Sequence, residues 1–441
     1  MKKLFFRFIC ILLLVTLPAA LLFACARKEE LPDTYVEGSD YQYLQRVNED
    51  KCKKVQQGDG VVYLLHRGFV YYLDEVSGVI LPLCNRADCL HDKETDEAQL
   101  QMCNAYIANG DVSDNEQIAY CNSYLYCVPD NSTVSGAIPL YRLSSEGSKK
   151  EVIYKFTEPL EEWFVHRDVL YYRTYGYVTG PDDTLIHQEW MKALSLTDSS
   201  PEPWTFYEPQ DGLAVSVSNL YGAYGNYVHF YIIGYYDQLD PLESRFETEG
   251  ENRYYSEMLS YNIRTGEVKE FEFAELPQYA SIGMTSYWQD KPLFAIYYGD
   301  MVFDAPTTWY VCELDGSNPV PLMEDVPQGY YLRGGGEYLY YTNTVAWRKE
   351  EYAFYKILDE NLDEVDSFLP PEYLNVDLRI GFGDRMYYIF DLVKDENGDE
   401  SYDFFNYRHP ETSLGWGVLV WDKSQLGSYN GATLEFDTIM R

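Results

Sequence analysis

Cys84, Cys89, His91 and Cys103 are the residues whose types and spacing could do chemistry together, in the segment LCNRADCLHDKETDEAQLQMCNAY from Leu83 to Tyr106. Thiolate and neutral imidazole are ligands that zinc prefers, so the set Cys-x4-Cys-x-His-x11-Cys could close a tetrahedral Cys3His site, although its spacing is not that of a standard zinc finger. Outside the cytoplasm thiols also oxidise. The expected state is therefore a disulfide between two of Cys84, Cys89 and Cys103, with the third joined to Cys52 or Cys121. A structural zinc is the alternative, and free buried thiols are the third reading. Of the nine cysteines, those left after Cys10 and Cys25 are odd in number, so at least one is unpaired. All three readings are structural. No other cofactor is expected.

The remaining reactive side chains do not assemble into a catalytic motif. The six histidines are scattered, and no H-E-x-x-H, G-x-S-x-G, Walker or dinucleotide glycine pattern occurs. His166-Arg167-Asp168 reads as a polar surface turn. Gly334-Gly335-Gly336 precedes a strand rather than a helix, so it lacks the amides that hold phosphate. Asp395 to Glu400 has calcium-like composition, but its glycine falls in the wrong frame, and Asn397-Gly398 reads instead as a type I′ hairpin turn between Tyr387–Phe390 and Tyr402–Phe405. Cys121 and Cys127 flank a tight turn at Asn122-Ser123 that would not set them opposite each other, and Cys312 stands alone; these three read as buried small apolar residues.

The elements that must position the cysteine cluster are strands. Val61 to Leu83, VVYLLHRGFVYYLDEVSGVILPL, alternates short runs of Val, Leu, Tyr and Phe with Gly, Asp and Ser, the pattern of antiparallel strands joined by tight turns. Looser copies follow at Ile118–Val128, Val165–Arg173, Tyr227–Gly234, Pro292–Tyr298, Gly336–Thr342 and Asp384–Phe390. Aligned on Tyr72, Tyr126, Tyr172, Tyr231, Tyr297, Tyr341 and Tyr388, they recur about 44 to 66 residues apart. One copy cannot bury its faces alone; several arranged radially can. The fold class is all-β, a β-propeller of seven blades, with six or eight as neighbouring counts. Helix signal is scarce, which disfavours the βαβ alternation of a two-lobed solute-binding protein. Tyr235–Asn252 and Gly176–Gln188 are insertions of the kind that line binding faces in repeat folds. The 44 tyrosines read first as packing between blades and second as a face for sugar or peptide stacking.

Met1 to Cys25, MKKLFFRFICILLLVTLPAALLFAC, has the basic start, apolar core and small-residue site of a secretory signal. Leu22-Phe23-Ala24-Cys25 resembles the lipobox of bacterial lipoproteins. That resemblance implies signal peptide 1–24, acylation at Cys25, and a head on the extracytoplasmic face of the cell membrane. Residues 25–40 then read as a flexible tether and 41–441 as the propeller. Lys and Arg total 34 against 71 Asp and Glu, for a net charge of −37, and removing Lys2, Lys3 and Arg7 takes it to about −40. Such a field excludes nucleic acid as a partner. With 46% hydrophobic residues, acidity is not disorder.

The lipobox, the Tyr-Tyr strands and the Leu83–Tyr106 segment together resemble surface lipoproteins of Gram-positive anaerobes whose propellers are similar to the YWTD-type blades of lipoprotein receptors and have no assigned activity. The resemblance bears on the fold; the expected role, resting partly on fold analogy, is that of a monomeric, membrane-tethered protein that binds a protein or glycan ligand rather than an enzyme. The alternative is a glycan-processing enzyme, which would need two channel carboxylates about 5 to 10 Å apart with a raised pKa.

Overall fold

The computed structural model describes residues 31–42, 54–58, 60–108, 117–129, 136–180, 183, 185–209, 215–235, 254–273, 280–298, 306–327, 329–343, 354–374, 383–394, 398–404 and 413–441. The signal segment, Cys25, Cys52 and most of the Tyr235–Asn252 insertion lie outside them.

The described chain forms seven four-stranded antiparallel sheets. They are blades 1 to 7, spanning residues 55–82, 117–156, 163–207, 215–270, 280–326, 330–368 and 385–440. The fold is a seven-bladed β-propeller. Among the described residues helix is limited to single turns and the short α1 (Glu97–Met102), and no helix is long and apolar enough to cross a membrane.

Tight turns make the blades. In blades 2, 3 and 5 the first two strands meet at Asn122-Ser123, Arg167-Asp168 and Gln289-Asp290, where both residues have positive φ. Two successive residues of this kind give a type I′ turn, whose twist matches the strands it joins. Blade 4 uses Gly225-Asn226, where a Cβ on Gly225 would come within 2.2 Å of the Asp33 carbonyl oxygen. Arg385–Lys394 pairs with Glu400–Asp403 as a hairpin, with Lys394 opposite Glu400; Asn397 of the expected type I′ turn lies outside the described residues.

The apolar core lies between blades. Tyr171 packs into the cluster shared by blades 3 and 4, while its neighbour Tyr172 packs into that of blades 2 and 3. Tyr387 and Tyr388 divide in the same way between the blade 7–blade 1 and blade 6–blade 7 clusters. Side chains alternate across a strand, so consecutive tyrosines serve opposite faces of one blade. This is the physical origin of the repeated Tyr-Tyr pairs. The aligned tyrosines lie on the second strand of blades 2 to 7 in sheet order, whereas Tyr72 lies on the third strand of blade 1. Val55–Gly58, a strand without aromatic residues, supplies the inner strand there.

Each described sheet is built from strands consecutive in the chain, so no strand is exchanged between the first and last blades. The ring closes instead through side chains. One cluster joins Tyr387, Trp416, Val418 and Val420 of blade 7 to blade 1 and on to Leu125 and Leu143 of blade 2. Arg67 meets Asp391 at 2.8 Å, Arg385 meets Glu75 at 2.9 Å, and His66 packs on Trp416 with centroids 4.4 Å apart.

Candidate functional site

The segment joining blades 1 and 2 brings the predicted cluster together. After the last strand of blade 1 (Val79–Pro82), Cys84 and Cys89 precede a single 3-10 turn, His91–Lys93. Asp96 then caps α1, its carboxylate accepting from the Ala98 and Gln99 amides at 2.9 and 3.2 Å, and Cys103 follows the helix directly. One ligand atom from each of Cys84, Cys89, His91 and Cys103 lies within 4.8 Å of all the others. Cys103 Sγ is 3.7 Å from His91 Nδ1. The Arg86 and Asn104 amides donate to Cys84, and the Ala105 amide donates to Cys103. Burial works against the Cys84 thiolate, but those amides hold its pKa below the ordinary thiol value; burial pushes the Cys103 thiol up to about 12.

None of the six described cysteines is in a disulfide. No disulfide joins Cys84, Cys89 and Cys103 here, and their sulfurs stand together with His91 as one set. A disulfide between any two of them would draw those sulfurs together to about 2 Å. Cys121, Cys127 and Cys312 are buried core residues, as read from the sequence.

The His166-Arg167-Asp168 triplet does lie at a turn, but its expected surface position is wrong. His166 and Arg167 are 0% and 7% exposed. What covers them is residues 31–42, which cross the turns of blades 2, 3 and 4 and so are not the free tether expected through residue 40. Arg167 donates from Nε to Asp40 at 2.7 Å, from Nη1 to Asn226 at 2.6 Å, and from Nη2 to the Pro32 carbonyl at 2.7 Å. His166 Nδ1 accepts the Tyr41 amide at 3.0 Å, which leaves Nε2–H to donate to the Gly225 carbonyl at 2.8 Å. Tyr41 stacks on Phe164 at 4.5 Å, and the Asn122 amide donates to the Gly38 carbonyl. The signal available in sequence was the acid Asp40 after Gly38-Ser39; its partner stands 127 residues away.

The Gly176–Gln188 insertion forms an extended hairpin. Val169–Thr179 and Leu185–Ser195 stay paired out to Thr179 opposite Leu185, well beyond the four-residue inner strand Trp163–His166. One face of the hairpin carries Arg173, Tyr175, Tyr177 and Thr179 opposite Met191, Glu189, His187 and Leu185. Its base is fixed by Arg173 Nη1 to Glu189 at 2.9 Å, and Glu189 also meets His187 Nε2 at 3.2 Å. His187 stacks with Tyr175 at 5.4 Å and meets Tyr177 edge-on at 5.6 Å. Towards the tip, Tyr177 and Leu185 are 63% and 70% exposed.

Among the described residues, Glu257 is the carboxyl whose pKa is moved upward, by burial and then by Glu270. It sits on the third strand of blade 4, next to the outermost strand Val268–Glu270, rather than on an inner strand.

No family model matches the chain, and no curated protein matches it. Solved structures similar to it include the β-propeller domain of the Trilobed protease from Pyrococcus furiosus, with 8% identity over 90% of this chain and 99% of that one and a TM-score of 0.45. An oligogalacturonate lyase in complex with manganese has 12% identity, 88% and 86% coverage and a TM-score of 0.43. A prolyl endopeptidase has 11% identity and a TM-score of 0.48, and this chain spans 51% of its length against 92% of its own.

Proposed function

We propose that the chain is a monomeric binding protein, tethered through acylated Cys25 to the outer face of the cell membrane, that presents a propeller face to a protein or glycan ligand. The observation that carries this reading is the blade 3 hairpin. A rigid Arg173–Glu189 base supports a Tyr175–His187–Tyr177 stack and two exposed apolar side chains. Tyrosine and histidine offer flat apolar faces with polar edges at little conformational cost, the combination that recognises sugar rings and peptide surfaces alike. A hairpin held by eleven register pairs limits what binding must order. The acidic surface favours neutral or cationic partners.

The test is a glycan and surface-protein array probed with the full chain and with Tyr177→Ala and Leu185→Ser. Loss of captured ligand in both variants, with thermal stability unchanged, supports the hairpin as the binding element. Retained binding refutes it, and release of cleaved glycan by the intact chain would establish the glycan-processing alternative.

A further inference from the structure

Among the described residues no strand is exchanged to close the ring of blades, and the Cys/His segment lies where closure is needed. Residue by residue, that segment touches three blades. Against blade 1, the Ile107 amide donates to the Gly68 carbonyl and the Val70 amide to that of Ala105. Against blade 2, the Asn85 amide and the Asn104 side chain both donate to the Gly147 carbonyl, at 3.2 and 2.8 Å. Gly147 has φ of 71°, and a Cβ there would stand 2.8 Å from the Leu83 carbonyl carbon, so the approach requires glycine. Lys150 of blade 2 donates to the Gln101 and Tyr106 carbonyls at 3.0 and 2.7 Å.

Against blade 7 the contact runs through Asp92, the residue next to His91. Its carboxylate accepts from Arg441 Nη2 at 2.5 Å and from the Tyr71 hydroxyl at 3.1 Å. The Arg441 guanidinium lies over the Tyr71 ring at 4.8 Å, and the Arg441 amide donates to the Trp416 carbonyl at 2.9 Å. Asp92 is thus one peptide bond from a cluster ligand and one hydrogen bond from the last blade.

We propose that Cys84, Cys89, His91 and Cys103 bind one zinc ion, and that this ion is the clasp that holds blade 7 against blade 1 by fixing Asp92. The donor set is that of a closed structural site, four ligands with no place left for substrate. On a tetrahedral zinc, sulfur and nitrogen ligands stand about 3.5 Å apart and two sulfurs about 3.8 Å apart; the 3.7 Å between Cys103 Sγ and His91 Nδ1 falls at that spacing. The amides of Arg86, Asn104 and Ala105 donate to the sulfurs, the outer-shell arrangement that orients ligating thiolates. Binding takes a Zn2+ ion from solution, forms three zinc–sulfur bonds and one zinc–nitrogen bond, and releases to solvent whatever protons the thiols carried; nothing is oxidised or reduced. With the ion in place, the backbone at His91 cannot swing, and Asp92 is presented to Arg441 already in position.

The experiment uses the full chain in detergent. Elemental analysis and replacement with cobalt(II) read the site, and hydrogen exchange read by mass spectrometry follows each blade with and without a chelator. The expected result is one zinc per chain, a cobalt spectrum with thiolate charge-transfer bands, and, on metal removal, roughly tenfold faster exchange in residues 84–107 and in strands Ser413–Asp422 and Asp437–Met440. Asp92→Asn, which leaves all four ligands in place, should retain the zinc and speed exchange in the blade 7 strands alone. A metal-free chain with a disulfide among Cys84, Cys89 and Cys103 overturns the site. Zinc bound with blade 7 exchange unmoved by chelation or by Asp92→Asn overturns the clasp, as does an equal rise in all seven blades.

Discussion

His229 offers a sharp test of how the blades are held together, because it is fully buried and bridges two of them. Its Nε2 donates to the Leu314 carbonyl at 2.7 Å, and its Nδ1 accepts the Tyr287 hydroxyl at 2.7 Å, so both nitrogens are used by the neutral ring. Burial depresses its pKa to about 4, with the Leu314 carbonyl working weakly the other way. A histidine whose folded pKa lies below its unfolded value of 6.5 contributes stability that is fully present above 6.5 and is lost as pH falls through the folded pKa. Over that window of about 2.5 units, at 1.36 kcal/mol per unit, the loss is about 3 kcal/mol. The 71 acidic residues also titrate near the lower end, so the effect is best read as a difference. His229→Gln keeps a donor for Leu314 and an acceptor for Tyr287 but cannot be charged. Urea unfolding of both chains from pH 7.5 to 4 should show the parent losing about 3 kcal/mol relative to the variant, most of it below pH 6. A constant difference across the range would mean that His229 is protonated in the fold or reached by water, and the bridging arrangement would be wrong.

Arg167→Met should cost about 3 to 5 kcal/mol in urea unfolding, because Asp40, 0% exposed on its side chain, would be left as a buried charge without its partner; a loss under 1 kcal/mol would mean that residues 31–42 do not dock as described. Phe294→Ala, at a ring fully buried between blades 4 and 5, should lower stability by about 3 to 5 kcal/mol, read in the same assay, and a near-neutral result would place that seam elsewhere. Cys25→Ser should move the chain from the membrane fraction to the soluble one or leave it unprocessed, since the acyl chains supply the anchoring; unchanged retention with correct processing would refute acylation.

The blade count was legible because it rests on a local rule. Two aromatic neighbours on a strand face opposite ways, and a strand between two blades needs both faces apolar, so Tyr171-Tyr172 and Tyr387-Tyr388 announce a sandwiched strand in any sequence window. Blade 1 misled the alignment by placing its tyrosine pair one strand further out, behind an inner strand that carries Gln56 and Gln57 rather than aromatics. The Cys/His cluster was legible as a set, since all four residues fall in one segment. The sequence alone does not choose between disulfide and metal, because that depends on where α1 and the 3-10 turn aim each sulfur. Least legible was the environment of Arg167. Partners 59 and 127 residues distant cover it, and no pattern of neighbours distinguishes that arginine from one in a solvated turn. The blade 7 seam is hidden for the same reason, with Asp92 and Arg441 separated by 349 residues.

That every sheet is built from consecutive strands bears on the order in which the molecule can come together. A blade whose strands follow one another can complete its hydrogen bonding as soon as its last strand is available, and each new blade then has a finished surface to condense upon. The strap over blades 2 to 4 must wait until Asn226 exists, and the Asp92–Arg441 pair until Arg441 does. The seam between blades 7 and 1 is also the one that no chain connection spans, so among the described residues packing, ion pairs and the Cys/His segment alone hold it.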